Sequence, residues 1–332
     1  MSERAGGRPL VSVIVPARDE AADLAGCLDR VAQQSYGAED IEVLVVDGAS
    51  TDATAAVAAE ALADAGFARW AVLSNPARGI SAGLGVGLAA ARGDIVVRVD
   101  ARCRLGSGHV ARAVEVLAAR PDVGVVGGAQ RAQPRDERVL STGIARALNN
   151  RWTTGLARYR RSNRPGPADT VWLGSFRTAE LRALGGWDPT VELSEDFDLN
   201  ERYRRSGALV WFDPAMTAGY LPRPDLVSLA RQYFRFGRGK ATMWTRGRRP
   251  RPRQVALVVA PPVAALAMAW VGRRYGWLPL GVVLALGALA VDALGADRGQ
   301  PASVPARLSA LAATTTSCTA WWVGVVCGAC RG

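Results

Sequence analysis

Four acidic side chains stand out by position. Asp47 and Asp100 each follow directly on a short apolar run, Ile41–Val46 and Ile95–Val99, while Glu195 and Asp196 open an amphipathic stretch that begins at Ser194. A residue at the carboxyl end of a buried strand lies on the edge where open α/β sheets take their ligands. Acids in the first turn of a helix are favoured by its dipole, and Ser194 is placed to cap that turn. Carboxylates from two strand ends and one helix start can converge on a single cleft. Such a set suits sugar transfer from a nucleotide: one acid holds the nucleoside, one manages the diphosphate, and one deprotonates an acceptor hydroxyl. Singly, each of these acids reads as well as a turn cap or a first-turn acid; the set and its flanking motifs carry the argument.

Competing chemistries have fewer candidates. The single histidine, His109, starts an amphipathic stretch and reads as structural. Five cysteines in 332 residues do not make a disulfide framework. Gly85-Val86-Gly87-Leu88-Ala89-Ala90 fits the dinucleotide pattern G-x-G-x-x-A and keeps an NAD-dependent oxidoreductase as an alternative. Against it, the pattern sits in the fourth unit, and no acid follows at the distance of about 20 residues that ribose binding requires.

The elements that must position the acids alternate. Residues 10–15 read as a strand, Ala21–Gln34 as a helix with Leu24, Cys27, Leu28 and Val31 on one face, and Ile41–Val46 as a strand buried on both sides. An Ala-rich helix, a strand at Trp70–Leu73, a glycine-rich turn and helix at Gly79–Ala91, and strands at Ile95–Val99 and Val123–Val126 follow. This alternation predicts an α/β, Rossmann-like domain with a mixed, mostly parallel sheet. Residues 134–170 are polar and weakly patterned and read as a loop or insertion. Order returns over Val171–Gly207, with a turn at Gly185-Gly186 and a helix over Ser194–Arg205.

Charge divides the chain. Of the 41 basic and 30 acidic residues, ten basic and one acidic fall within 223–253, which leaves residues 1–222 near neutrality. A nucleic-acid-binding surface would place its cations on the folded domain, so that class is excluded. Beyond Arg253 come three apolar stretches, Val255–Val271, Trp277–Leu294 and Ala310–Cys330, each close to bilayer-spanning length, with the first broken by Pro261-Pro262. Arg246, Arg248, Arg249, Arg251 and Arg253 abut the first stretch and mark a cytoplasmic, lipid-facing belt, although Arg273-Arg274 then falls outside. The expected organisation is a catalytic domain over 1–222, a basic juxtamembrane segment over 223–253, and a transmembrane region of about three helices over 254–332.

Five motifs in order resemble glycosyltransferase family 2, the inverting enzymes with an A-type nucleotide-diphospho-sugar fold. Val11–Glu20 (VSVIVPARDE) is similar to the family's opening strand and Val45–Thr54 (VVDGASTDAT) to its nucleotide-binding turn. Arg98–Arg104 (RVDARCR) resembles the aspartate motif, and Ser194–Gly207 (SEDFDLNERYRRSG) the acidic helix. Gln232–Phe236 (QYFRF) resembles the membrane-proximal Q-x-x-R-W motif of the polysaccharide-making members. The likeness spans roughly residues 10–240 and is nearest to bacterial succinoglycan-type glucosyltransferases.

The resemblance implies roles. Pro16, Arg18, Glu20, Asp47 and Ser50 would line the nucleoside pocket of a UDP-sugar. Arg98, Asp100 and Arg102 would face its diphosphate, with Asp100 holding a divalent cation, Mg2+ or Mn2+. Asp196, beside Glu195, would be the general base, and Gln232, Arg235 and Phe236 would contact the diphosphate or acceptor. The implied acceptor is a polyprenyl-diphosphate-linked sugar at the cytoplasmic face of a bacterial membrane. Two departures matter. The aspartate motif reads Asp100-Ala101-Arg102, with one acid where relatives have two; a lone carboxylate is a poor ligand for such ions, although they often keep waters and bind phosphates directly. Arg102 or Arg98 would then supply the positive charge to the leaving diphosphate, since guanidinium forks onto phosphate. Gly85 also stands where many relatives have Asn. The broken motif leaves open a non-catalytic homologue that scaffolds a polysaccharide assembly complex.

Overall fold

The computed structural model describes residues 7–150, 153, 157–191, 194–245, 250, 252–275, 287 and 303–330. Within the bounds Met1–Arg131 and Leu156–Leu221 the chain forms one compact unit, and within Ala132–Gly155 and Pro222–Gly332 a second.

The first unit opens with strict alternation: β1 (Val11–Ala17), α1 (Ala21–Ala32), β2 (Ile41–Asp47), α2 (Thr54–Ala63), β3 (Arg69–Ser74), α3 (Ile80–Ala90) and β4 (Ile95–Arg98). These four strands lie parallel, as their alternation with helices predicts, in the order β3-β2-β1-β4. Then come β5 (Cys103–Leu105), α4 (His109–Ala119), β6 (Val123–Ala132), α5 (Val139–Asn149), the single turn α6 (Arg158–Arg161), β7 (Gly166–Pro167), β8 (Trp172–Arg177), α7 (Thr178–Ala183), α8 (Glu195–Arg205) and β9 (Leu209–Tyr220). The sheet continues β4-β8-β6-β9-β5, with β7 on β9; β8 runs antiparallel to both β4 and β6, and β5 and β7 antiparallel to β9.

Both faces of the sheet are covered, which explains the near-continuous apolar runs. Val13 and Val15 of β1 join Leu24, Leu28 and Val43 in one core layer, while Ile14 joins Leu44, Leu84, Phe176 and Tyr203 in the other. Period-two alternation thus feeds two cores from one strand. Gly87 lets α3 lie on β1, because a Cβ there would sit 2.4 Å from Ile14 Cγ2. That glycine belongs to the dinucleotide-like pattern, which lies inside α3 rather than in a strand-to-helix turn. The oxidoreductase reading loses its motif: Gly87 serves helix–sheet packing, and a Cβ on Gly85 would meet nothing within 4 Å.

The amino edge of the sheet hides a buried ion. Glu42 is fully buried, accepts from Ser12 Oγ at 2.5 Å and from the Arg92 N–H at 2.8 Å, and pairs with Arg69. Ser12 Oγ in turn accepts from the Gly93 N–H at 2.8 Å, so the network ties β2 to β1 and to the start of β4. His109 is buried, with Nδ1 3.3 Å from the Thr217 carbonyl oxygen. Burial pushes its pKa down to about 4, against the opposing pull of that carbonyl. It is a neutral core side chain, as its position predicts.

The second unit is helical and holds α5 together with α9 (Leu226–Thr245), α10 (Pro252–Tyr275) and α11 (Val304–Ala329). The polar stretch expected as a loop over 134–170 therefore contains a helix, whose Ile144, Ala145, Ala147 and Leu148 are buried. Gly237 and Gly324 allow α9 and α11 to touch backbone to backbone, since a Cβ on either would meet a carbonyl oxygen at 2.1 Å. Pro261-Pro262 does not break α10. Pro262 lacks the N–H that would bond the Val258 carbonyl, and the Trp322 indole donates to that carbonyl at 2.8 Å instead. Gln254–Arg274 and Val304–Ala329 are long and apolar enough to cross a membrane, by length and composition. The middle apolar stretch, apart from Gly287, and Arg246, Arg248, Arg249 and Arg251 lie outside the described residues.

Two stability tests follow. Glu42→Ala strands Arg69 and two further donors, the Ser12 hydroxyl and the Arg92 N–H, and should cost about 3 kcal/mol in denaturant unfolding, where a loss below about 1 would contradict the buried network. For His109, the unfolded chain takes up a proton below about pH 6.5 that the folded chain refuses until about 4. Stability should fall as pH drops through that window, and His109→Gln should flatten the slope in pH-dependent melts.

Candidate active site

The carboxyl ends of β1 and β2 carry two loops zipped to each other. The Gly48 N–H donates to the Ala17 carbonyl at 2.8 Å, the Asp19 N–H to Ser50 Oγ at 2.9 Å, the Thr51 N–H to Asp19 Oδ1 at 2.8 Å and the Glu20 N–H to Thr54 Oγ1 at 2.9 Å. Asp19 and Ala49 both sit at φ +53°, an uncommon region for residues with a Cβ, and the cross-loop bonds hold them there. Asp47 closes β2 and accepts from the Ser50 hydroxyl and, at 3.3 Å, from its N–H. Pro16 pairs with Val46 within the sheet. Arg18 is half-exposed, its Nε 3.6 Å from Asp19 Oδ2.

Two strands away, about 10 Å across the same edge, stands Arg98 at the end of β4. Its side chain is only 3% exposed, yet three carboxylates surround it. Nε donates to Asp100 Oδ1 at 3.0 Å, and Nη1 pairs with Glu195 Oε1 at 2.8 Å and with Asp196 Oδ1. Burial opposes the charge on Arg98, but Asp100, Asp196 and Glu195 outweigh it and hold the pKa well above the usual value. One cation cannot neutralise three anions. Asp196 is pushed up to about 7, chiefly by burial and further by Glu195 and Asp100, while Arg98 pulls it down. A carboxyl that titrates near neutrality suits a general base. Asp196 reaches this place because it opens α8; Ser194 does not cap that helix with its side chain as expected, but takes φ +66°.

Arg102 occupies the turn after β4. Its Nε lies 3.3 Å from Glu20 Oε1, its guanidinium carbon 5.6 Å from the Tyr220 ring centre, and its buried Nη1 has no hydrogen-bond partner among the described residues. Burial works against its charge, while Tyr220, Glu20 and Asp100 raise its pKa. Trp172 links the two arginines: its indole donates to Asp100 Oδ2 at 3.3 Å and meets Tyr220 edge-on at 6.2 Å. A bulge between Val126 and Gly128, opposite Trp172, disturbs the β6–β8 register there.

The structure thus joins Arg98, Asp100, Glu195 and Asp196 in one ion network, and Arg102 to Glu20. Asp47 and Ser50 share the same sheet edge through the zipped loops. Gln232, Arg235 and Phe236 lie on α9 in the second unit, with Phe236 42% exposed and edge-on to Tyr233. Trp172 and Tyr220 escaped the sequence reading; their signal is an aromatic at the edge of an apolar strand, too common to single out. The residues do not fit a protein-held divalent cation. Both Asp100 oxygens are engaged, Arg102 stands where a second acid would, and among the described residues no group of three metal-ligating side chains is disposed to hold one.

Comparison with known proteins identifies the family and the fold. The chain is 28% identical to the succinoglycan biosynthesis protein ExoA of Rhizobium meliloti over 274 residues, which is 81% of each chain. It is 22% identical to a dolichyl N-acetyl-glucosaminyl phosphate diacetamido-dideoxy-glucuronosyltransferase of Methanococcus voltae, over 71% of this chain and 74% of that one. Among solved structures, the mannosyltransferase PcManGT of Pyrobaculum calidifontis, bound to GDP-Man and Mn2+, superposes with a TM-score of 0.64. That match has 24% identity and covers 97% of this chain and 87% of the other, so the fold is the A-type glycosyltransferase fold. The family model for glycosyl transferase family 2 matches residues 12–181, more than half of the chain. With strand-end acids, zipped loops after β1 and β2 and an acidic helix on one sheet, this chain is a glycosyltransferase and belongs to family 2.

Proposed function

We propose that the enzyme moves a hexose from a UDP-sugar to a hydroxyl of a polyprenyl-diphosphate-linked sugar, with inversion, in bacterial exopolysaccharide or cell-envelope synthesis. The observation that carries this reading is Asp196, held at the sheet edge by Arg98 with its pKa raised to about 7. Asp47, Ser50, Pro16, Arg18 and Glu20 surround the nucleoside, and Asp100 borders the diphosphate. The acceptor hydroxyl gives its proton to an Asp196 carboxylate oxygen. Its oxygen attacks the anomeric carbon in line, the bond from that carbon to the diphosphate oxygen breaks, and the nucleoside diphosphate leaves. Attack from the face opposite the leaving group inverts the anomeric centre. Glu195 shares Nη1 of Arg98 with Asp196 and so helps set the proton affinity of the base.

The lipid-linked acceptor and cytoplasmic-membrane location draw support from two spanning-length apolar helices, from the basic segment before them, and from relatives named for succinoglycan and dolichyl-linked sugar synthesis. Gln232, Arg235 and Phe236 on α9 would serve the acceptor side. The three-part division at 222 and 253 belongs to the same proposal.

Asp196→Asn should lower transfer about 10²–10⁴-fold while donor binding persists. In the wild type, kcat/KM should rise as Asp196 loses its proton, be low below about pH 7 and level off above it. Transfer by membranes from a panel of radiolabelled nucleotide sugars, read as lipid-linked product on thin layers, measures both. Undiminished transfer by the Asn variant would remove Asp196 as the base.

A further inference from the structure

The two arginines of the aspartate motif are not equivalent. Arg98 is spent, with its Nε and Nη1 on three carboxylates. Arg102 is not. Among the described residues it pairs with one carboxylate, Glu20 at 3.3 Å, and its guanidinium carbon lies 5.6 Å from the Tyr220 ring centre. Its Nη1 is a buried donor on a full positive charge, with no hydrogen-bond partner among the described residues. Buried donors are almost always satisfied, and one left over on a guanidinium marks a place for an anion. Its position narrows the anion. Arg102 follows β4 at the carboxyl edge, where ligands of open α/β sheets bind, and stands between the β1 loop at Glu20 and the end of β9 at Tyr220.

Building on the transferase reading, we infer that Arg102 binds the diphosphate of the nucleotide sugar directly and takes the place of a divalent cation there. Glu20 and Tyr220 fix the guanidinium plane from two sides. Asp100, occupied by Arg98 and Trp172, borders the diphosphate without ligating a metal. As the glycosyl bond breaks, the leaving diphosphate gains negative charge, and the electron pair left on its oxygen faces a cation that cannot be deprotonated. The donor therefore binds without metal.

The test is calorimetric binding of UDP-glucose and GDP-mannose to the full chain in detergent micelles, with EDTA or with Mn2+. Wild-type affinity should be the same within about threefold in both conditions, since the guanidinium is always charged. Arg102→Gln should weaken binding about ten- to a hundredfold, and Arg102→Asp should bind only when Mn2+ is present. A thermal melt of each variant checks folding, and the wild-type comparison stands without any variant. Wild-type binding that falls more than about tenfold in EDTA overturns the inference but leaves the transferase reading intact. Failure to bind any nucleotide sugar, with or without metal, overturns both.

Discussion

Burying one guanidinium at the end of β4 costs several kcal/mol of solvation unless acids surround it. Arg98 meets that condition with Asp100 from its own strand end and Glu195 and Asp196 from the first turn of α8. The ion network therefore does two jobs with one set of charges. It ties α8 to the parallel half of the sheet, and its excess of negative charge raises the proton affinity of Asp196. Position and basicity of the proposed base share one cause.

The surrounding frame serves that point. Parallel strands β3, β2, β1 and β4 end together, and the loops after β1 and β2 hold each other through six hydrogen bonds between residues 17–21 and 48–54. Trp172, beside the β6–β8 bulge, reaches back to Asp100 and so joins the antiparallel half of the sheet to the same network. Tyr220 and Glu20 orient Arg102 at its far end. The edge is assembled from six separated stretches of chain, so its geometry is a property of the whole sheet rather than of any one loop.

Much of this was legible in the sequence because it is local. Strands β1, β2 and β4 are β-branched runs, and Asp47 and Asp100 announce themselves by following two of them. What escaped is what depends on partners far along the chain. Glu42 looks like an interruption in IEVLVV until Ser12, Arg69 and Arg92 are folded around it. Helix α5 was hidden because it buries Ser141, Arg146 and Asn149 beside its apolar residues, which dilutes the periodicity. Pro261-Pro262 reads as a break, and only a distant indole, Trp322, supplies the hydrogen bond that the helix lacks there. The choice between Arg98 and Arg102 as the diphosphate's cation is likewise invisible until their partners are counted.

The most direct test of the central interaction is the pH profile of transfer by Arg98→Met. Removing the cation leaves Asp196 beside Glu195 and Asp100 with nothing to offset them. The account predicts that the ascending limb, set by Asp196 losing its proton, moves about one to two pH units upward and that the rate at neutral pH falls with it. A limb that stays at its wild-type position, with the rate at neutral pH unchanged, would show that Arg98 does not govern the base.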